Sequence, residues 1–81
     1  MSSQREFYSD LFPGDSLITK IELCLWQIDG HILYLKINDL VYILSRTDNL
    51  RIANFMLLTK EGVGDFSRRT DDCYLDWFEK I

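Results

Sequence analysis

The sequence predicts an α+β fold: a three-stranded antiparallel meander with one N-terminal and two C-terminal helices, in the order α-β-β-β-α-α. Three observations carry this expectation. Apolar residues repeat with a period of two between Leu17 and Leu44, the mark of half-buried strands. Helical spacing appears at both ends, in the pairs Phe7/Leu11 and Tyr8/Phe12 and in the stripe Tyr74, Trp77, Phe78 and Ile81. Finally, 81 residues that are 47% hydrophobic, with five Phe, four Tyr and two Trp, suffice for a single small core and no second domain.

Taken in order, Ser3-Gln4-Arg5-Glu6 has the form of a capping box, and Pro13-Gly14 would stop the helix it opens, predicted over residues 4–12. The first two strands follow. Ile21, Leu23 and Leu25 alternate with Lys20, Glu22, Cys24 and Trp26, and Leu33, Leu35 and Ile37 alternate with Ile32, Tyr34 and Lys36 after Ile28-Asp29-Gly30. A three-residue loop with Gly30 in the left-handed conformation sets Leu23 opposite Leu35 and Leu25 opposite Leu33. It also sets Ile21 opposite Ile37 and Glu22 opposite Lys36, a favourable charge pair. Asn38-Asp39 signals a turn into a third strand, Leu40 to Leu44, with Leu40, Tyr42 and Leu44 on the face of Leu33, Leu35 and Ile37.

Residues 45–61 fit two templates. Ser45 to Asp48 resembles a capping box, Leu50, Ala53 and Leu57 share a helical face, and Lys60 and Gly62 suit a helix end; Ala, Met, Leu and Lys content favours that helix. The alternative is a hairpin turn at Thr47-Asp48-Asn49 leading to a fourth strand, Arg51 to Thr59, in a four-stranded meander with flanking helices. Gly62 to Asp65 reads as a flexible loop. Thr70-Asp71-Asp72 then opens a last helix, acidic at its start and ending on Lys80.

Several functions are disfavoured by what the chain lacks. Nine basic against thirteen acidic side chains leave a net charge of −4, which opposes nucleic acid as a direct ligand. The polar N-terminus has no signal-peptide form and no apolar run approaches a bilayer span, so a cytoplasmic protein without membrane contact is expected. Cys24 and Cys73 carry no metal-ligand spacing; two buried free thiols are favoured over a bridge. His31 stands alone beside a turn, and the carboxylates Asp71, Asp72, Asp76 and Glu79 suit a helix N-terminus rather than an acid–base pair. Gly62-x-Gly64 lacks the context of a phosphate loop. Neither catalysis nor a cofactor or metal is expected.

Two surfaces remain. Cys24, Trp26, Ile32, Tyr34, Val41 and Ile43 all fall on the second face of the predicted sheet, which a solvated antiparallel sheet would make polar. That face is the expected docking surface for another protein, with self-association through the sheet face or an edge strand as a further route. Arg46, Arg51, Arg68 and Arg69 form a locally basic stretch that could contact phosphate; pairing with the Asp-rich C-terminal segment is the competing expectation. The sequence therefore favours a non-catalytic protein-binding module, an adaptor, inhibitor or regulatory subunit, including an acidic decoy of a nucleic-acid-binding protein. The alternative is a nucleic-acid-associated regulator using the arginine patch.

Overall fold

The computed structural model describes residues 6–81. They form one antiparallel sheet of seven strands: β1 (Ser16–Thr19), β2 (Leu23–Trp26), β3 (Ile32–Leu35), β4 (Leu40–Asn49), β5 (Ile52–Thr59), β6 (Gly62–Arg69) and β7 (Phe78–Lys80). Their spatial order is β3-β2-β6-β5-β4-β1-β7, curled into a half-barrel. Among the described residues the helical content is one 3-10 turn, Tyr8–Asp10. The α+β expectation is thereby overturned, and with it both meanders: β3 is an edge strand that pairs only with β2, and β4 pairs with β1 and β5.

Chain connectivity forces the curl. Residues from Leu35 to Leu40 reach at most about 17 Å when extended. In a flat sheet β3 and β4, four positions apart in the order, would stand about 19 Å apart. The connection is not even extended, because Asn38 is left-handed at φ 70 and the Asp39 amide donates back to the Lys36 carbonyl. Buried Thr19 pins this turn: its hydroxyl donates to the Lys36 carbonyl and accepts from the Asp39 amide at 2.9 Å. The sheet must therefore bend until its ends approach.

The hairpin β2–β3 forms as its sequence dictates. Leu23 pairs with Leu35 and Leu25 with Leu33, around a loop in which Gly30 has φ +89 and its amide donates to the Gln27 carbonyl. Pairing stops at Leu23 and Leu35, short of Ile21–Ile37 and Glu22–Lys36.

The segment expected to be helical over 45–61 is instead the β4–β5 hairpin. Asn49 pairs with Ile52 across a two-residue loop whose Leu50 is left-handed at φ 57 and 96% exposed. A helix would have buried Leu50, Ala53 and Leu57 and left Phe55 outside. The strand buries Ala53, Phe55, Leu57 and Thr59 on one side, and burial of that aromatic ring outweighs a weak helix propensity. Gly62 to Asp65, expected as a loop, begins β6, paired with β5 from Thr59–Gly62 to Ile52–Arg69.

At the N-terminus, the Phe7 amide reaches the Asp10 carboxylate, the Tyr8 amide donates to the Asp72 carbonyl and Phe7 bridges to Cys73, so pairing with the C-terminal segment of the same chain replaces the helix expected over 4–12. Ser3, Gln4 and Arg5 of the capping box lie outside the described residues. Of the stripe expected on a last helix, Tyr74 and Phe78 are buried, Trp77 is half-buried and Ile81 is exposed; the backbone makes turns on the Tyr74 carbonyl and then joins β1 as β7.

The core fills the concave side. Leu17, Leu23, Leu25, Leu33, Leu35, Val41, Ile43, Phe55, Leu57 and Phe66 point inward from the strands. Two irregular segments that pair with each other close it, one through Tyr8 and Leu11 and the other through Tyr74 and Trp77, beside Phe78 of β7. Tyr8 stacks obliquely on Phe55 and Phe66, and Phe66 meets Phe78 edge-on at 5.5 Å.

Candidate protein-interaction surface

The outer side of the sheet is apolar in two places. On the β2–β3 hairpin, Trp26 (60% exposed) sits opposite Ile32, and exposed Cys24 opposite Tyr34 (68% exposed). These positions are those the alternation assigned to a second face. On the β1–β4–β5 wall, exposed Leu40, Tyr42 and Leu58 join Thr59 and Lys60 around a shallow groove of about 320 Å³. Lys60 is held at its rim by an ion pair with Asp39 at 3.2 Å.

Val41 and Ile43 leave the docking set. Both are fully buried, because β1 pairs Leu17 with Val41 and β5 pairs Ile43 with Leu57, all facing the core. Their neighbours Leu40, Tyr42 and Leu44 point outward, the reverse of the expected parity. Five apolar residues in a row satisfy either parity, so only the register with β1 and β5 decides. The same wall therefore supplies surface residues that alternation alone missed. Leu50, exposed at the tip of the β4–β5 hairpin, is a further one.

The four arginines lie on the far half of the β4–β5–β6 ladder, but three are engaged within the molecule. Arg46 pairs with Asp48 through two hydrogen bonds and donates from Nη1 to the Ser9 and Leu11 carbonyls at 2.9 and 2.8 Å. Its guanidinium also lies over the rings of Phe12 and Phe55. Arg68 lies 4.2 Å over Trp77 and reaches Asp72 at 4.0 Å. Arg69 forms a two-pronged pair with Asp71. Asp71 and Asp72 thus neutralise arginines rather than cap a helix. Arg51 stays exposed at the hairpin turn.

No acid–base constellation gathers on the described residues. His31 is exposed and paired with Asp29 at 2.9 Å, and this contact holds the Asp29 carboxyl below its ordinary range. Asp48 is lowered likewise by the hydrogen bonds from Arg46. Cys24 and Cys73 are free thiols, exposed and half-buried, which corrects the expectation that both are buried. No cluster of three or more metal-ligating side chains occurs among the described residues, and no helix there is long and apolar enough to cross a membrane.

One buried polar pair departs from ordinary satisfaction. The Tyr8 hydroxyl and Arg68 Nε are both buried, and neither meets hydrogen-bond geometry. Burial pushes the Tyr8 phenol up to about 12, against a downward pull from Arg68. An unfolded tyrosine ionises near 10, so the folded state keeps a proton that the unfolded chain releases. Stability from this group is complete below pH 10 and is lost as pH rises toward about 12, by roughly 2 kcal/mol. Tyr8→Phe is expected to flatten that part of the stability–pH curve in denaturant melts. At pH 7 the same variant should lie within about 1 kcal/mol of the parent, since it removes a buried hydroxyl whose polar neighbour is the Arg68 guanidinium.

Comparison with protein-family models, curated proteins and solved structures yields no match to this chain.

Proposed function

We propose that this chain is a non-catalytic protein-binding module, acting as an adaptor, inhibitor or regulatory subunit. The observation that carries the reading is the apolar outer side of the sheet. A solvated antiparallel sheet keeps that side polar. Here Trp26, Ile32 and Tyr34 on one wall and Leu40, Tyr42 and Leu58 on the other expose aromatic and branched side chains to water. Such side chains are common binding anchors, because burying them against a partner returns their area to an apolar setting. The net charge of −4 favours a partner surface that is neutral or basic. The nucleic-acid alternative loses support, since Arg46, Arg68 and Arg69 already meet carboxylates within the chain.

The test is cross-linked affinity capture from native cells, comparing the parent with two surface variants. Trp26→Ala and the double change Tyr42→Arg with Leu58→Arg leave the core untouched, as these residues are exposed. A partner recovered with the parent should drop at least about tenfold with one of them, the loss of one anchor residue. Recovery that neither variant changes, or turnover of a substrate by the purified chain that one point replacement abolishes, would overturn the reading.

A further inference from the structure

We infer that the free edge of β3 is a self-pairing surface: two copies of the chain join β3 to β3 in antiparallel register, making one continuous sheet across a twofold axis. This rests on reading the chain as a binding module and assigns one of its surfaces to a second copy.

The backbone of β3 is prepared for it. In the β2–β3 hairpin the Gln27 amide donates to the His31 carbonyl. Hydrogen-bonded pairs alternate along an antiparallel ladder, so Leu25–Leu33 and Leu23–Leu35 are bonded inward. The N–H and C=O groups of Ile32 and Tyr34 then point away from β2, toward the open edge. No turn or loop among the described residues takes them up.

Side-chain faces restrict the register. Opposed residues in an antiparallel pair share a face, so an outward residue must meet an outward one. Placing Leu33 on the axis sets Ile32 opposite Tyr34 of the second copy, twice over, and joins the four outward backbone groups of each copy in hydrogen bonds. The ends then match in charge. Lys36, which has no ion pair among the described residues, falls beside the Asp29-Gly30 turn of the second copy.

The two edges of the sheet differ in protection. β7 ends in Glu79 and Lys80, charges of the kind that keep an edge solvated. β3 reads Ile-Leu-Tyr-Leu, with no charge, proline or bulge. The apolar patch of Trp26, Ile32 and Tyr34 runs up to this edge, so pairing would place two such patches side by side. A contact of one short strand per copy is small, and a concentration-dependent equilibrium is expected rather than an obligate dimer.

Sedimentation velocity over a concentration series, with residue-resolved amide exchange, tests this. The expected result is a monomer–dimer equilibrium in which the Ile32 and Tyr34 amides slow by about tenfold or more as the dimer fills, while Leu33 and Leu35 are protected throughout. Tyr34→Pro removes an outward N–H without breaking a bond to β2, and should weaken dimerisation at least about tenfold. Tyr34→Lys, at an exposed position, should do the same by charging the edge and serves if the proline variant fails to fold. A chain that stays monomeric at every concentration overturns the inference. So does association that neither variant weakens, or protection of Ile32 and Tyr34 that does not depend on concentration. None of these outcomes touches the groove of Tyr42 and Leu58, whose variants judge the broader reading separately.

Discussion

Gly64→Ala is expected to destabilise the fold by about 1–3 kcal/mol, although strand propensity alone predicts a gain of about 0.5–1 kcal/mol. The sign therefore discriminates between the two effects. Gly64 is buried on the concave side of β6, opposite Leu57. A Cβ there would stand 2.7 Å from the Leu25 Cβ and 3.3 Å from the Leu33 Cδ1. The first of these atoms is bonded directly to the backbone and cannot swing aside. The missing side chain is what lets the β2–β3 hairpin close onto β6, where Trp26–Asp65 is the one pair in register. Separating the hairpin to admit a methyl would also loosen Leu25 and Leu33 from the core. Urea melts should show a lower midpoint with an unchanged slope. Gly30→Ala is the control: it meets nothing within 4 Å and carries only the cost of a left-handed alanine, about 1 kcal/mol. Equal effects at both positions would mean that the close approach of Leu25 does not govern the cost at Gly64.

The contrast between these glycines explains how far the sequence could be read. Gly30 sits in a loop whose length, alternation and left-handed residue all point to one register, and the hairpin forms in that register. Gly64 looks like part of a flexible loop in the sequence because its role is long-range: nothing near it announces that Leu25 lies across it. The same limit governs residues 45–61. Leu50, Ala53 and Leu57 match a helix, Ala53, Phe55 and Leu57 match a strand, and the choice depends on partners in β4 and β6. For the surface, alternation placed Trp26, Ile32 and Tyr34 correctly on the outer side of a hairpin whose turn was legible. It failed for Val41 and Ile43, which lie within an unbroken apolar run whose parity is set by β1 and β5. The tendency of the arginines to pair internally was foreseeable from the nearby aspartates, but the burial of Arg46 beneath the N-terminal segment was not.

That burial makes Arg46→Ala the second large effect, a loss of about 3 kcal/mol or more. The Arg46 side chain is 12% exposed and is the hydrogen-bond donor to two main-chain carbonyls, those of Ser9 and Leu11. It ties the N-terminal segment to β4, and the buried residues Tyr8 and Leu11 ride on that tie. Truncation leaves two carbonyls without their charged donor and removes the packing against Phe12 and Phe55; each unsatisfied carbonyl costs about 1–3 kcal/mol. The Asp48 partner contributes less, being half exposed, so Asp48→Asn should cost under about 1 kcal/mol. Arg46→Lys keeps the charge but not the planar fork that reaches Asp48 and both carbonyls, and should recover only part of the loss. Denaturant melts of the three variants give this order directly. A phosphate-contacting arginine would behave in the opposite way: its removal would spare stability and lower the salt sensitivity of nucleic-acid binding. Full stability in Arg46→Ala would therefore detach this residue from the fold and return it to the surface chemistry from which its contacts with Ser9, Leu11 and Phe55 remove it.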